Sequence, residues 1–131
     1  MQHVGLPDKT YKVDESRCTY VESHKTVVFT DYNASEVYLS NIENGRCHIV
    51  HCDKIRSPLG ACPGIDGTVF VCSGGTGTVV QLTTKGTVLA SHDVSMAWPF
   101  AVSLSRDGTR LAVSNSVKDE QNKIKLFKVS S

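Results

Sequence analysis

Lys25-Thr26-Val27-Val28-Phe29-Thr30-Asp31 decides the fold, because the pattern comes back twice. Gly67-Thr68-Val69-Phe70-Val71-Cys72-Ser73 and Gly108-Thr109-Arg110-Leu111-Ala112-Val113-Ser114 repeat the threonine-led apolar run. A second apolar segment follows each: Glu36-Val37-Tyr38-Leu39-Ser40, then Thr78-Val79-Val80-Gln81-Leu82, then Lys123-Ile124-Lys125-Leu126-Phe127-Lys128. Pro58 and Pro99 each precede an Asp-Gly pair by nearly the same distance. The period is about 41 or 42 residues, the span of a four-stranded propeller blade.

Val, Ile, Thr and Tyr dominate these segments, as pleated half-buried surfaces favour. Gly, Asn, Asp and Ser punctuate them. The first unit reads as strands near 17–22, 26–31, 36–41 and 46–52, and the second near 59–63, 68–73, 78–83 and 87–93. The third reads as 100–105, 109–115 and 122–129, with no fourth strand. The second strand of each unit is a continuous apolar run, as in Val69-Phe70-Val71. A strand with one wet face alternates, so this one is covered on both sides. Stacked blades supply that cover. A βαβ sheet also would, but no amphipathic helical stretch is long enough. A β-sandwich is the other all-β arrangement to weigh.

The expected architecture is therefore all-β: two complete four-stranded blades, about 15–54 and 55–95, and a three-stranded third, about 96–131. Closed propellers have roughly four to eight blades, so this one is partial and unclosed. Residues 1–14 read as a linker or the end of a preceding blade, with Thr10–Val13 as its last strand. The chain then reads as the C-terminal part of a longer protein.

Composition narrows the function. The chain has 131 residues, 40% hydrophobic and 21% charged, enough for a packed core. Net charge is +1 with scattered Lys and Arg, which removes the electrostatic argument for nucleic acid or an anionic membrane. No apolar run reaches the roughly 18 residues of a membrane span. Cysteines number five, with no CxxC, which favours a reducing compartment and a cytoplasmic location.

The phrases Val27-Val28-Phe29-Thr30-Asp31-Tyr32 and Asp66-Gly67-Thr68-Val69-Phe70-Val71-Cys72, with Trp98-Pro99-Phe100-Ala101-Val102 opening the third unit, resemble blades of the NHL-type six-bladed propeller. The closing Lys123–Val129 is similar to the end of the propeller in invertebrate tripartite-motif-like proteins. The resemblance covers roughly residues 15–129. It implies a propeller that selects a protein target for ubiquitin transfer by zinc modules elsewhere in such proteins. No RING or B-box spacing occurs in this sequence.

Cys47-His48-Ile49-Val50-His51-Cys52 has zinc ligands, but alternation splits them between two faces. Ser73-Gly74-Gly75-Thr76-Gly77-Thr78 resembles a phosphate loop, yet a strand follows rather than a helix. Ser91-His92-Asp93 holds triad residue types in adjacent positions, whose side chains diverge. Propeller lactonases hold a cation with carboxylates at the ends of inner strands. Asp31 and Asn115 occupy such ends, but Ser73 stands in the second unit. Cys62 and Cys72 read as small buried hydrophobes.

No metal, cofactor, small-molecule substrate or catalytic residue is expected, and the chain is expected not to be an enzyme. Strand parity puts the loops at 32–33, 74–76 and 116–121 on one face with 56–57 and 96–98. Loops on a rigid scaffold carry recognition, and aromatic and Arg residues anchor it. Tyr32, Arg56, Trp98 and Lys118 are therefore the expected partner-binding residues. A protein is the expected partner. RNA, which some NHL propellers bind, is the second class, and a lactonase-like enzyme the third.

Overall fold

A computed structural model describes residues 16–116 and 122–129. Among these residues eleven strands form three antiparallel sheets. The first sheet holds β1 (Ser16–Val21), β2 (Thr26–Asp31), β3 (Glu36–Asn41) and β4 (Cys47–Val50) in that order. The second holds β5 (Pro58–Pro63), β6 (Thr68–Ser73), β7 (Thr78–Thr83) and β8 (Val88–Asp93). The third holds β9 (Pro99–Leu104), β10 (Arg110–Asn115) and β11 (Ile124–Lys128), with no fourth strand among the described residues. The expected strand Thr10–Val13 lies outside the described residues.

The sheets stack as blades. Val28, Val37 and Leu39 of the first pack against Val69, Val71, Val80 and Leu82 of the second. The other face of the second, through Phe70, Cys72 and Val79, packs against Leu111 and Val113 of the third. The middle blade's second strand is thus covered on both sides, the condition that its unbroken apolar run requires. Each such valine removed from water contributes on the order of 1.5–3 kcal/mol. The blades converge at their first strands. A Cβ on Gly60 in β5 would fall 2.4 Å from the Phe100 carbonyl oxygen in β9, so only glycine allows that approach.

One feature of the repeat differs from the sequence expectation. Thr109 does not head the third apolar strand, which begins at Arg110. The Asp107 carboxylate accepts bonds from the Thr109 amide (3.0 Å), the Thr109 hydroxyl (2.7 Å) and the Ser105 hydroxyl (2.7 Å). That fork keeps Thr109 in the turn. The strands ending at Asp31, Ser73 and Asn115 then share one period, and their side chains fall into common faces. Leu111 is accordingly equivalent to Val69, not Phe70, and faces the middle blade. The fourth strand of the first blade is also shorter than expected, four residues (Cys47–Val50).

Candidate functional site

The loops after β2 and β6 and the segments leading into β5 and β9 meet on one face. Each is built by local chemistry. Asp31, buried at the end of β2, accepts the Ala34 amide at 3.1 Å and closes the turn at 32–35. Ser73, the equivalent residue, accepts the Arg56 amide (2.9 Å) and donates to the Arg56 carbonyl (3.2 Å). Gly74 and Gly75 complete this seam, donating to the carbonyls of Ser57 and Arg56. Asn115, third in the series, donates to the Ala97 carbonyl at 3.0 Å and accepts the Lys123 amide at 2.7 Å. The three positions weighed as cation ligands therefore bind loop backbone, and each staples the rim.

Trp98 and Tyr32 come together here from the third and first blades, with ring centroids 6.4 Å apart and planes inclined by 31°. They meet over the backbone of the middle blade. A Cβ on Gly74 would sit 2.6 Å from Trp98 Cε3, so the indole rests directly on glycine backbone. Trp98 remains 40% exposed. Arg56 is exposed beside Gly75, whose Cβ would meet Arg56 Cβ at 2.9 Å. Lys118 lies outside the described residues.

The backbone of this face is strained. Ser35, Ser57, Ser95 and Trp98 all have φ near +50°, a region that L-residues enter at a cost of about 1–3 kcal/mol. Ser57 and Trp98 both precede prolines at the start of a blade. A tryptophan in that conformation is costlier to hold than a serine. Its segment is tied down at several points. Lys125 Nζ donates to the Ser95 carbonyl (2.7 Å) and the Val94 carbonyl (3.3 Å). Asp93 accepts the Ser95 amide at 2.8 Å, and the Ser116 amide donates to the Trp98 carbonyl.

Sequence reasoning missed two members of this surface. Arg17, at the start of β1, places its guanidinium 4.9 Å from the Phe100 ring centroid, a cation–π distance. Phe100, read as the first residue of the strand near 100–105, is half-buried. The one available signal was its place two residues beyond Trp98 and one beyond Pro99.

No family model matches the chain, and no curated protein matches its sequence. Solved structures match its fold. Hydrazine synthase from Kuenenia stuttgartiensis aligns over 97% of this chain and 36% of its own, with TM-score 0.73 and 15% identity. Virginiamycin B lyase from Staphylococcus aureus aligns over 86% of this chain and 40% of its own, with TM-score 0.63 and 16% identity. A streptogramin B lyase aligns over 88% and 41%, with TM-score 0.65 and 16% identity. The chain thus spans roughly two-fifths of the length of these proteins.

These matches correct the expectation that the chain is not an enzyme. The architecture it shares is that of a lyase and a synthase, so the fold gives no support to a non-catalytic reading. At such low identity they carry no activity across either. Among the described residues no helix is long and apolar enough to cross a membrane. What the likeness shows is the fold: the described residues form three blades of a β-propeller that do not close a ring, with β-propeller enzymes among the structural neighbours.

Proposed function

We propose that the chain is a recognition module whose rim binds an extended segment of a protein partner. One observation carries this reading: aromatic rings from the first and third blades meet over the glycine backbone of the second. Such a pair has large, rigid, half-wet surfaces, and ordering it on binding costs little. Arg56 and the Arg17–Phe100 pair add cationic character, which suits acidic residues flanking an apolar anchor. The strained φ at Trp98 supports a site held ready before binding. The finer reading, target selection within a tripartite-motif-like ubiquitin ligase in the cytoplasm, rests on the NHL resemblance of residues 15–129.

A display library of random peptides, panned on the wild-type chain and counter-screened on Trp98→Ala and Tyr32→Ala, tests the proposal. Ligands should weaken at least tenfold on each variant, with far-UV circular dichroism unchanged. Ligands that bind both variants as well as wild type would refute it. A second reading, propeller enzyme, is favoured by the shared architecture with the lyases. Turnover of a lactone or of virginiamycin B, with and without divalent cation, distinguishes the two.

A further inference from the structure

Hydrogen-bonding capacity is divided unevenly across the rim. Its carbonyls are occupied internally. The Arg56 carbonyl accepts from the Gly75 amide at 2.9 Å and from the Ser73 hydroxyl at 3.2 Å. The Ser57 carbonyl accepts from the Gly74 amide, the Ala97 carbonyl from Asn115 Nδ2 and the Trp98 carbonyl from the Ser116 amide. The Val94 and Ser95 carbonyls take the Lys125 ammonium. Of the carboxylates, Asp31 accepts the Ala34 amide and Asp93 the Ser95 amide. Asp53 is exposed, in a hollow that Arg56 lines and the aromatic pair does not.

Donors remain. Among the described residues the Trp98 indole N–H, the Tyr32 hydroxyl and the Arg56 guanidinium meet no hydrogen-bond partner. The indole and the guanidinium can only donate, and the phenol can do either. An ordinary extended segment brings an N–H with each carbonyl. Covered here without an acceptor, that N–H loses its water without replacement, which opposes binding. Proline brings a carbonyl and no N–H. In the polyproline II conformation the backbone makes no internal hydrogen bonds, so its carbonyls stay available, and its stiffness limits the entropy lost on docking. The Tyr32 and Trp98 rings, inclined by 31° over Gly74, offer faces on which proline rings pack.

We propose that the rim's ligand is a proline-rich segment in the polyproline II conformation. Its rings lie on Tyr32 and Trp98, and its carbonyls accept from the Trp98 indole, the Tyr32 hydroxyl and Arg56. This rests on the reading of the rim as a recognition surface for a protein segment, and it names that segment's chemistry.

The test uses the full chain and a neutral, blocked octaproline. A blocked octapeptide of alternating alanine and serine, which keeps its N–H groups, is the control. Trp98 is the sole tryptophan and gives one indole N–H resonance. That resonance should shift saturably with octaproline up to millimolar concentration and stay in place with the control. Trp98→Phe and Tyr32→Phe keep an aromatic ring and remove one donor. Each should weaken binding of labelled octaproline, read by fluorescence anisotropy, about three- to tenfold with circular dichroism unchanged. Should Trp98→Phe fail to fold, Tyr32→Phe carries the test. Equal response to both peptides, no response to octaproline, or full affinity in the phenylalanine variants overturns the proposal. A single-stranded RNA that shifts the indole resonance at lower concentration than octaproline also overturns it, because phosphates and bases are then the acceptors. Sequencing the ligands panned from the random library separates two failures. Trp98-dependent ligands without proline sink this inference and leave the rim reading standing, whereas ligands indifferent to Trp98 and Tyr32 sink both.

Discussion

Gly74→Ala is a sharp test of the rim geometry, because the added methyl points at one known atom. Its carbon would sit 2.6 Å from Trp98 Cε3, 3.2 Å from Trp98 Cζ3 and 3.2 Å from the Ser57 carbonyl oxygen. Ordinary carbon contacts lie near 3.5–4.0 Å, so the indole must retreat by roughly 1 Å. The glycine φ here is not in the left-handed region, so alanine meets no backbone penalty and the clash is the perturbation. Retreat separates Trp98 from Tyr32. An aromatic pair is worth about 0.5–1.5 kcal/mol, and lost backbone contact adds a similar amount. The expected destabilisation is about 1–3 kcal/mol. Trp98 is the sole tryptophan, so its fluorescence reports on this place alone. Emission should shift to longer wavelength in the folded variant, and the urea midpoint should fall, with circular dichroism unchanged. An unshifted spectrum with an unchanged midpoint would show that the indole does not rest on Gly74.

Burial pushes the Cys62 thiol up to about 11, and burial, reinforced by Cys62, pushes Cys72 up to about 12, against 9.0 for a free thiol. Both folded values are raised, so their contribution is complete below pH 9 and is lost as pH climbs from 9 through 11–12, the interval over which the unfolded chain releases its protons first. Unfolding curves at pH 8 and 10 should therefore diverge less in Cys72→Val than in wild type; equal divergence refutes the assignment. Gly67→Ala places a methyl 2.0 Å from His24 Cε1 at φ +75°. It should cost about 1–3 kcal/mol in urea unfolding, most of it backbone strain, since the exposed His24 ring can swing away. His24→Ala in the same background should recover only a minor part, and full recovery would refute the division.

The propeller was readable because the covered strand writes itself as an unbroken apolar run. Val27-Val28-Phe29 and Val69-Phe70-Val71 cannot sit on a half-wet sheet, and their spacing matches the blade. The Thr109 shift was hidden, because three bonds to one carboxylate decide it and Thr68 leads its own strand without them. At the site, loop parity brought Tyr32, Arg56 and Trp98 to one rim. The contact between Tyr32 and Trp98 was not legible, since it depends on the blade-to-blade rotation and on a left-handed tryptophan before proline. The Arg17–Phe100 contact joins residues of two different blades, and nothing local marks it.

The alternation within β6 sets what lengths this chain tolerates. Val69 and Val71 turn toward one neighbour, Phe70 and Cys72 toward the other. One inserted residue before Thr68, without a turn to absorb it, would exchange these sets and present aromatic bulk where valine fits. The Asp107 fork is such an absorber: it shows how a blade can gain a residue upstream and keep its faces. Variation in length therefore belongs in turns that own a side-chain clamp, and the strands between them behave as fixed rulers.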